Sequence, residues 1–279
     1  MFLKLEPILI YKMKNIRIAA VISNARVGKT ANNLDRMKAW IKKASGENAS
    51  IVCFPEMTIT GYHVRKEIIK ASESIPGPST DYLANLAEIY KITILAGLAE
   101  TDSSGHIFAT HVVIAPEGIK GVYRKVHLGP SEKSLFISGD SIPVFENNGI
   151  KFGIQLCYDA HFPDLSTAMA LKGADVIFIP HASPRTTPDE KIKSWMRHLP
   201  ARAYDNGLFI IACNQCGKNG KGLSFPGVCV VLNPAGEVIQ SYTGTDEHMI
   251  IVDLNARDLK KVRSHKMRYF LPNRRPEIY

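Results

Sequence analysis

A cysteine, a lysine and a glutamate each stand where an apolar run of this 279-residue chain gives way to polar residues. Cys157 follows Ile150, Phe152, Ile154 and Leu156, which alternate with period two as a strand does, and it precedes the helix-like run LSTAMALKG (165–173). Glu56 lies in CFPEMTITGY (53–62) and Lys125 in YRKVHLGPSEK (123–133). The thiolate is the nucleophilic form of cysteine, and a nearby cation lowers the thiol pKa. A carboxylate can take the thiol proton, pass it to a leaving amine and then activate water. An ammonium, with the backbone N–H of Tyr158 just after the nucleophile, can stabilise the oxyanion formed when sulfur adds to a carbonyl. Such a set would cleave a carbonyl–nitrogen bond through a thioester. Spacing alone does not prove it, since any long chain contains some Glu, Lys and Cys.

These three residues need strand ends to hold them. IRIAAVIS (16–23) and SIVCFP (50–55) read as strands, with a helix between them over 32–44 that lines up Leu34, Met37, Trp40 and Ile41. A second helix over 79–91 has Leu83, Leu86, Ala87 and Tyr90 on its inner stripe. Strands follow over 92–100, 108–118 and 120–128, then the strand before Cys157, a helix over 164–172 and a strand over 174–180. A helical stretch over 189–206 breaks near Pro200. GLFIIACN, GVCVVLNPAGEVIQSY and HMIIVDLN supply the last strands, with NPAGE (233–237) as a hairpin turn. Many strands and few helices indicate an α/β protein with two sheets face to face and helices outside. No linker or repeat divides the chain, so residues 13–279 are expected to form a single domain. Residues 1–12 are expected to lie outside it as an N-terminal extension.

Composition narrows the function. Hydrophobic residues at 45% and charged residues at 22% fit a globular protein with a sizeable core. No apolar stretch is long enough to span a membrane, and Lys4, Glu6 and Pro7 interrupt the opening run, so a cytoplasmic location is expected. Five cysteines, an odd number, favour reduced thiols. A net charge of +9 raises the question of nucleic acid, but the basic residues are dispersed outside the tail KKVRSHKMRYFLPNRRPEIY, and nucleic acid is set aside as a partner.

Three segments in order resemble the nitrilase, or carbon–nitrogen hydrolase, superfamily: FPEMTITGY (54–62), YRKVHL (123–128) and CYDAHFPD (157–164). ARAYDNG (201–207) and the terminal RRPEIY (274–279) resemble further parts of many members. The resemblance implies a four-layer αββα sandwich of two mixed β-sheets flanked by helices, commonly a homodimer, with no cofactor and no metal. By it Glu56 is general base and acid, Lys125 the oxyanion stabiliser and Cys157 the nucleophile, and Glu132 orients the site. Tyr158, His161 and His181 are expected to border the substrate. His161 stands where many amidase-like members have arginine, which bears on substrate preference. CYD rather than CWE looks like the amidase and carbamoyl-hydrolase branches, so the expected substrate is a small amide or N-carbamoyl compound, cleaved with release of ammonia. A nitrile substrate is the first alternative. A non-enzymatic basic binding or scaffold protein is the second, and the intact Glu56, Lys125 and Cys157 argue against it.

Other motifs have plainer readings. The CxxC of Cys213 and Cys216 lacks a second pair, so Cys213 is expected in the core and Cys216 as a loop thiol. SNARVGKT (23–30) lacks the first glycine of a phosphate-binding loop. His127 is expected to pack or hydrogen-bond beside the site. Trp195 and Arg202 are expected as core and salt-bridge residues, or at the substrate's border.

Overall fold

The period-two pattern of the first strand sorts its side chains between two apolar layers. In the computed structural model, which describes residues 13–278, β1 (Ile16–Ile22) turns Ile18, Ala20 and Ile22 toward a second sheet and Ala19 and Val21 toward helices. The expected extension, residues 1–12, lies outside the described residues. β2 (Ile51–Cys53), β3 (Thr93–Thr101), β4 (Ile107–Ala115) and β5 (Gly118–Arg124) continue the first sheet. Its outer face is covered by α1 (Thr30–Gly46), through Met37, Ile41 and Ala44, and by α2 (Pro78–Tyr90), through Leu83, Leu86 and Ala87.

The second sheet begins with β6 (Phe145–Asn147), β7 (Ile150–Ile154), β8 (Val176–His181) and β9 (Phe209–Asn214). A short hairpin, β10 (Gly217–Lys218) and β11 (Ser224–Phe225), precedes β12 (Gly227–Leu232) and β13 (Val238–Gly244). β14 (His248–Leu254) then crosses back and pairs antiparallel with β1. The orders are β14-β1-β2-β3-β4-β5 and β13-β12-β9-β8-β7-β6, six strands each. Both sheets are mixed: β1-β2-β3 and β7-β8-β9 run parallel, and antiparallel strands flank each trio. α3 (Pro163–Leu171) and α5 (Leu199–Asn206) pack on the second sheet, with α4 (Pro188–Trp195) between them in sequence and α6 (Ala256–Arg263) after β14. This is the αββα sandwich that the resemblance implied. No helix among the described residues is long and apolar enough to cross a membrane.

Two boundaries differ from the sequence reading, each for a local reason. The stretch expected as strand over 120–128 leaves the sheet after Arg124. There the Lys125 N–H still donates to Ala109 O at 2.9 Å, but its carbonyl accepts from Gly139 N at 2.8 Å, in a loop. The strand expected over 50–55 is paired only over 51–53, although Phe54 and Pro55 remain buried. The helical stretch over 189–206 breaks near Pro200 as expected: it is two helices, the second restarting at Leu199 with Pro200 in its first turn, where a missing N–H costs nothing.

Candidate active site

Glu56, Lys125 and Cys157 leave the ends of β2, β5 and β7, and the face-to-face packing of the sheets brings those ends together. Glu56 and Lys125 come from the first sheet and Cys157 from the second. Glu56 opens a turn after β2. Its backbone carbonyl accepts from Gln215 Nε2 at 2.8 Å, and its Oε2 accepts from the N–H of Ala182, just past β8, at 2.9 Å. The turn lies directly over Gly97 of β3, where a Cβ would collide with the backbone nitrogen of Met57 and the ring of His111.

Lys125 is buried and bridges two carboxylates. Its Nζ donates to Glu56 Oε1 and Glu132 Oε1, each at 2.8 Å. Glu132 is held in turn by the Tyr62 hydroxyl at 2.9 Å and the Gly129 N–H at 2.7 Å. Burial works against the Lys125 charge, but Glu56, Cys157 and Glu132 overcome it and hold the ammonium well above its usual pKa. Burial raises the Glu56 carboxyl to about 6, with Lys125 opposing and Glu132 adding to the rise. Burial, then Glu132, also raises the Tyr62 hydroxyl, which stays a neutral donor.

Cys157 starts a 3₁₀ turn, Cys157–His161, with φ of 47°, in the left-handed region that residues other than glycine enter rarely. That conformation costs roughly 1–3 kcal/mol, and the surrounding structure has to hold it. The adjacent N–H of Tyr158 lies in the first turn of that segment, where amides have no intrahelical acceptor. The thiol is half-buried and is pushed up to about 12, first by burial and then by Glu56, against the pull of Lys125. The neighbouring cation does lower the thiol pKa, as the sequence reading expected, but the net shift is upward. Desolvation and the two carboxylates, Glu56 and Glu132, outweigh the pull of Lys125 and Lys191. At rest the sulfur carries its proton, and the carboxylate near 6 is the group able to remove it as attack proceeds.

What holds the turn is Asp159, read in the sequence only as part of a branch signature. Its buried carboxylate accepts from four donors: the Tyr123 hydroxyl at 2.7 Å, Leu156 N at 2.9 Å, His127 N at 2.8 Å and His127 Nδ1 at 2.9 Å. A carboxylate oxygen only accepts, so the His127 ring donates from Nδ1. The ring also stacks on Phe162, centroids 3.7 Å apart. Asp159 thereby ties the strand that presents Lys125 to the turn that presents Cys157. Asp159→Ala strands all four donors and is expected to lower the unfolding free energy by about 3–5 kcal/mol, measured by urea denaturation. A loss under about 1 kcal/mol would mean that water satisfies the donors and the tie is dispensable.

The remaining sequence candidates fall near this centre in different ways. Tyr158 is half-buried, edge-on to His161 and Phe162. His161 is exposed and its ring lies 4.6 Å from that of His198. His181 ends β8, is buried, and stacks on Trp195 at 4.2 Å. Burial, then the charges of His198 and Lys191, depresses the His181 pKa well below the usual value, so its ring is neutral. Among the described residues Arg202 makes no salt bridge. Its guanidinium donates to the carbonyls of Ala160 at 3.0 Å and His161 at 3.4 Å, closing the far end of the Cys157 turn. Cys213 is in the core as expected, and Cys216 is a loop thiol as expected, between β9 and β10, though a buried one. Sequence reading missed Asp159, Gln215 and the Ala182 N–H. Of these, Asp159 stood inside a quoted motif, and the other two carry no sequence signal of their own.

The carbon–nitrogen hydrolase family model matches residues 17–264. A nitrilase of Pyrococcus abyssi is 31% identical over 268 residues, covering 95% of this chain and 99% of its own. An (R)-stereoselective amidase of a Pseudomonas species is 31% identical over 248 residues, covering 89% and 88%. Among solved structures, a mutant of an amidase of the nitrilase superfamily from Nesterenkonia matches with a TM-score of 0.81 at 26% identity, over 94% of this chain and 95% of that one. Another mutant of that amidase carries the acetamide moiety of fluoroacetamide covalently added at its active-site cysteine. A match over most of the chain, on the sandwich and the strand-end cluster described above, places the protein in the carbon–nitrogen hydrolase family of the nitrilase superfamily.

Proposed function

We propose that the protein hydrolyses a small amide, releasing ammonia through an acyl thioester on Cys157. The observation that carries this reading is the buried Lys125 ammonium, bridged at 2.8 Å to Glu56 and to Glu132 beside the turn that strains Cys157 outward. The Cys157 thiol attacks the amide carbonyl while Glu56 takes its proton. Charge then moves from sulfur to the carbonyl oxygen, where Lys125 Nζ and the Tyr158 N–H receive it. Glu56 returns the proton to nitrogen, and ammonia leaves. In the second half Glu56 deprotonates water, which attacks the thioester. The acid departs as the proton passes from Glu56 to the thiolate. Glu132 keeps Lys125 charged and aimed, and Tyr62 keeps Glu132 aimed. Tyr158, His161 and His181 border the acyl group in this reading. Amidase-named relatives and the amidase structures support an amide, and the nitrilase-named relatives make a nitrile the alternative.

The test is a screen of butyramide, an N-carbamoyl amino acid and butyronitrile, with ammonia as readout and intact-protein mass spectrometry of Cys157. Ammonia from the amide, with an acyl mass on Cys157 under rapid quench, is the expected outcome. Ammonia from the nitrile or the carbamoyl compound but not from the amide would overturn the substrate assignment, and no product from any of them would overturn the activity.

A further inference from the structure

Two amide side chains at the end of β9 grip the general base from the opposite sheet. Gln215 Nε2 donates to the backbone carbonyl of Glu56 at 2.8 Å, and both residues are fully buried. The Gln215 backbone N–H donates to His181 O at 3.3 Å. That carbonyl shares its peptide plane with the Ala182 N–H, which holds Glu56 Oε2 at 2.9 Å. One residue therefore reaches Glu56 twice, directly at the backbone and, through a rigid peptide, at the carboxylate. Asn214 braces the residue that follows. Its Oδ1 accepts from Ser183 N at 2.9 Å, and its Nδ2 donates to Ser183 O at 3.1 Å and to Pro226 O at 2.8 Å.

The Glu56 turn is already closed on its own sheet without this grip. Phe54 N and Ile59 N donate to Leu95 O and Gly97 O of β3, each at 2.9 Å, and Gly61 N donates to Met57 O at 2.8 Å. Met57 has a φ of 54°, in the left-handed region that a methionine enters only at a cost, and the Glu56 carbonyl just before it meets the amide from the second sheet. Gln215 Oε1 is buried with no partner among the described residues. An orphaned acceptor beside a strained turn is a cost that stability does not explain, and such costs gather at functional sites. Cys157 leaves β7, in the same sheet as β8 and β9. The bonds from Gln215 and Ala182 therefore fix the base relative to the sheet that carries the nucleophile.

We propose that Gln215, braced by Asn214, is a positioning residue that registers the Glu56 carboxylate against Cys157 across the two sheets. The inference rests on the amide-hydrolase reading above. Gln215 acts through Glu56 and not on the substrate. The charged and titratable groups facing Glu56 are Lys125, Glu132 and Cys157. The Ala182 N–H is the neutral contact that favours the ionised carboxylate, and its peptide is the one Gln215 anchors.

Gln215→Met tests it, since methionine keeps the length and removes the donor together with the orphaned acceptor. The variant is expected to lower kcat for butyramide by about 10–100-fold while KM stays within about 3-fold. A loosened Ala182 bond favours the ionised carboxylate less, so the acid limb of kcat/KM should move to higher pH by about half a unit. In the double variant with Glu56→Gln, acylation of Cys157 read by mass spectrometry should be at most about 3-fold slower than in Glu56→Gln alone, because both losses pass through one group. Asn214→Ala loosens the same strand end from Ser183, with an expected loss of about 3–10-fold in kcat and a limb displaced the same way. If the methionine variant does not fold, Asn214→Ala decides on these readouts. A folded Gln215→Met protein with wild-type kcat and pH profile would overturn the proposal. So would a loss that multiplies with that of Glu56→Gln and leaves the limb in place, since a merely structural glutamine behaves that way. If neither variant folds, the two amides are scaffold and the positioning role falls. Wild-type turnover of butyramide that is indifferent to Gln215 removes this role and leaves the hydrolase reading standing. No turnover of any amide, and no acyl adduct on Cys157, removes both.

Discussion

Cys157→Ala is expected to abolish ammonia release, with a loss of at least about 10⁴ in kcat, because nothing else at the site can form the covalent intermediate. Cys157→Ser should be nearly as inactive. A carboxylate near pH 6 is already poorly matched to a thiol near 12, and a hydroxyl is harder still to deprotonate. The fold should survive, since the side chain is half-buried and makes no hydrogen bond among the described residues. The left-handed backbone adds a second readout. Cys157→Gly should be more stable than Cys157→Ala by about 1 kcal/mol, because only glycine occupies a φ of 47° without penalty. Appreciable turnover by the alanine variant would end the thioester mechanism. Equal stability of the glycine and alanine variants would end the claim that the turn is strained.

Glu56→Gln is the second large effect, about 10²–10⁴ in kcat for loss of a general base and acid. Glutamine preserves the shape and can still accept from Lys125, so the fall should come from chemistry rather than unfolding. Loss of the base should weigh most on thioester hydrolysis, where water has no other base. Mass spectrometry after exposure to amide should show either unmodified protein or a persisting acyl group, and never normal clearance. The pH profile follows from the same carboxyl. Its pKa is about 6, above the usual carboxylate value, and only the ionised form can take the thiol proton. The kcat/KM for a neutral amide should therefore rise about tenfold per pH unit below 6 and level off above it. A profile flat from pH 4 to 7 would contradict the role.

The architecture was legible because alternation is a local property. Ile18, Ala20 and Ile22 against Ala19 and Val21 are enough to mark a strand buried on both faces, and Pro200 is enough to restart a helix. The triad was legible as three strand ends in order. What the sequence concealed depends on distance across the sandwich. Asp159 acquires its role from Tyr123, in the last strand of the first sheet, and from His127 in the loop that follows it. The thiol pKa depends on burial and on the charges that gather around the sulfur, and Glu132 was visible only as a further motif residue. Lys191 lies in the stretch expected as helix over 189–206, and its burial shows only once α4 is seen lying against the end of β8.

The return of β14 to β1 has a consequence for the chain during its synthesis. β1 is made first, yet one of its two neighbours is Ile250 and the residues around it, more than two hundred positions later. The sheet that carries Glu56 and Lys125 therefore lacks an edge while Cys157 is already outside the ribosome. Such long-range pairing is slow to find, and it comes last. Glu56, Lys125 and Cys157 are all synthesised before that closing strand, so the site is expected to become competent only when β14 docks on β1.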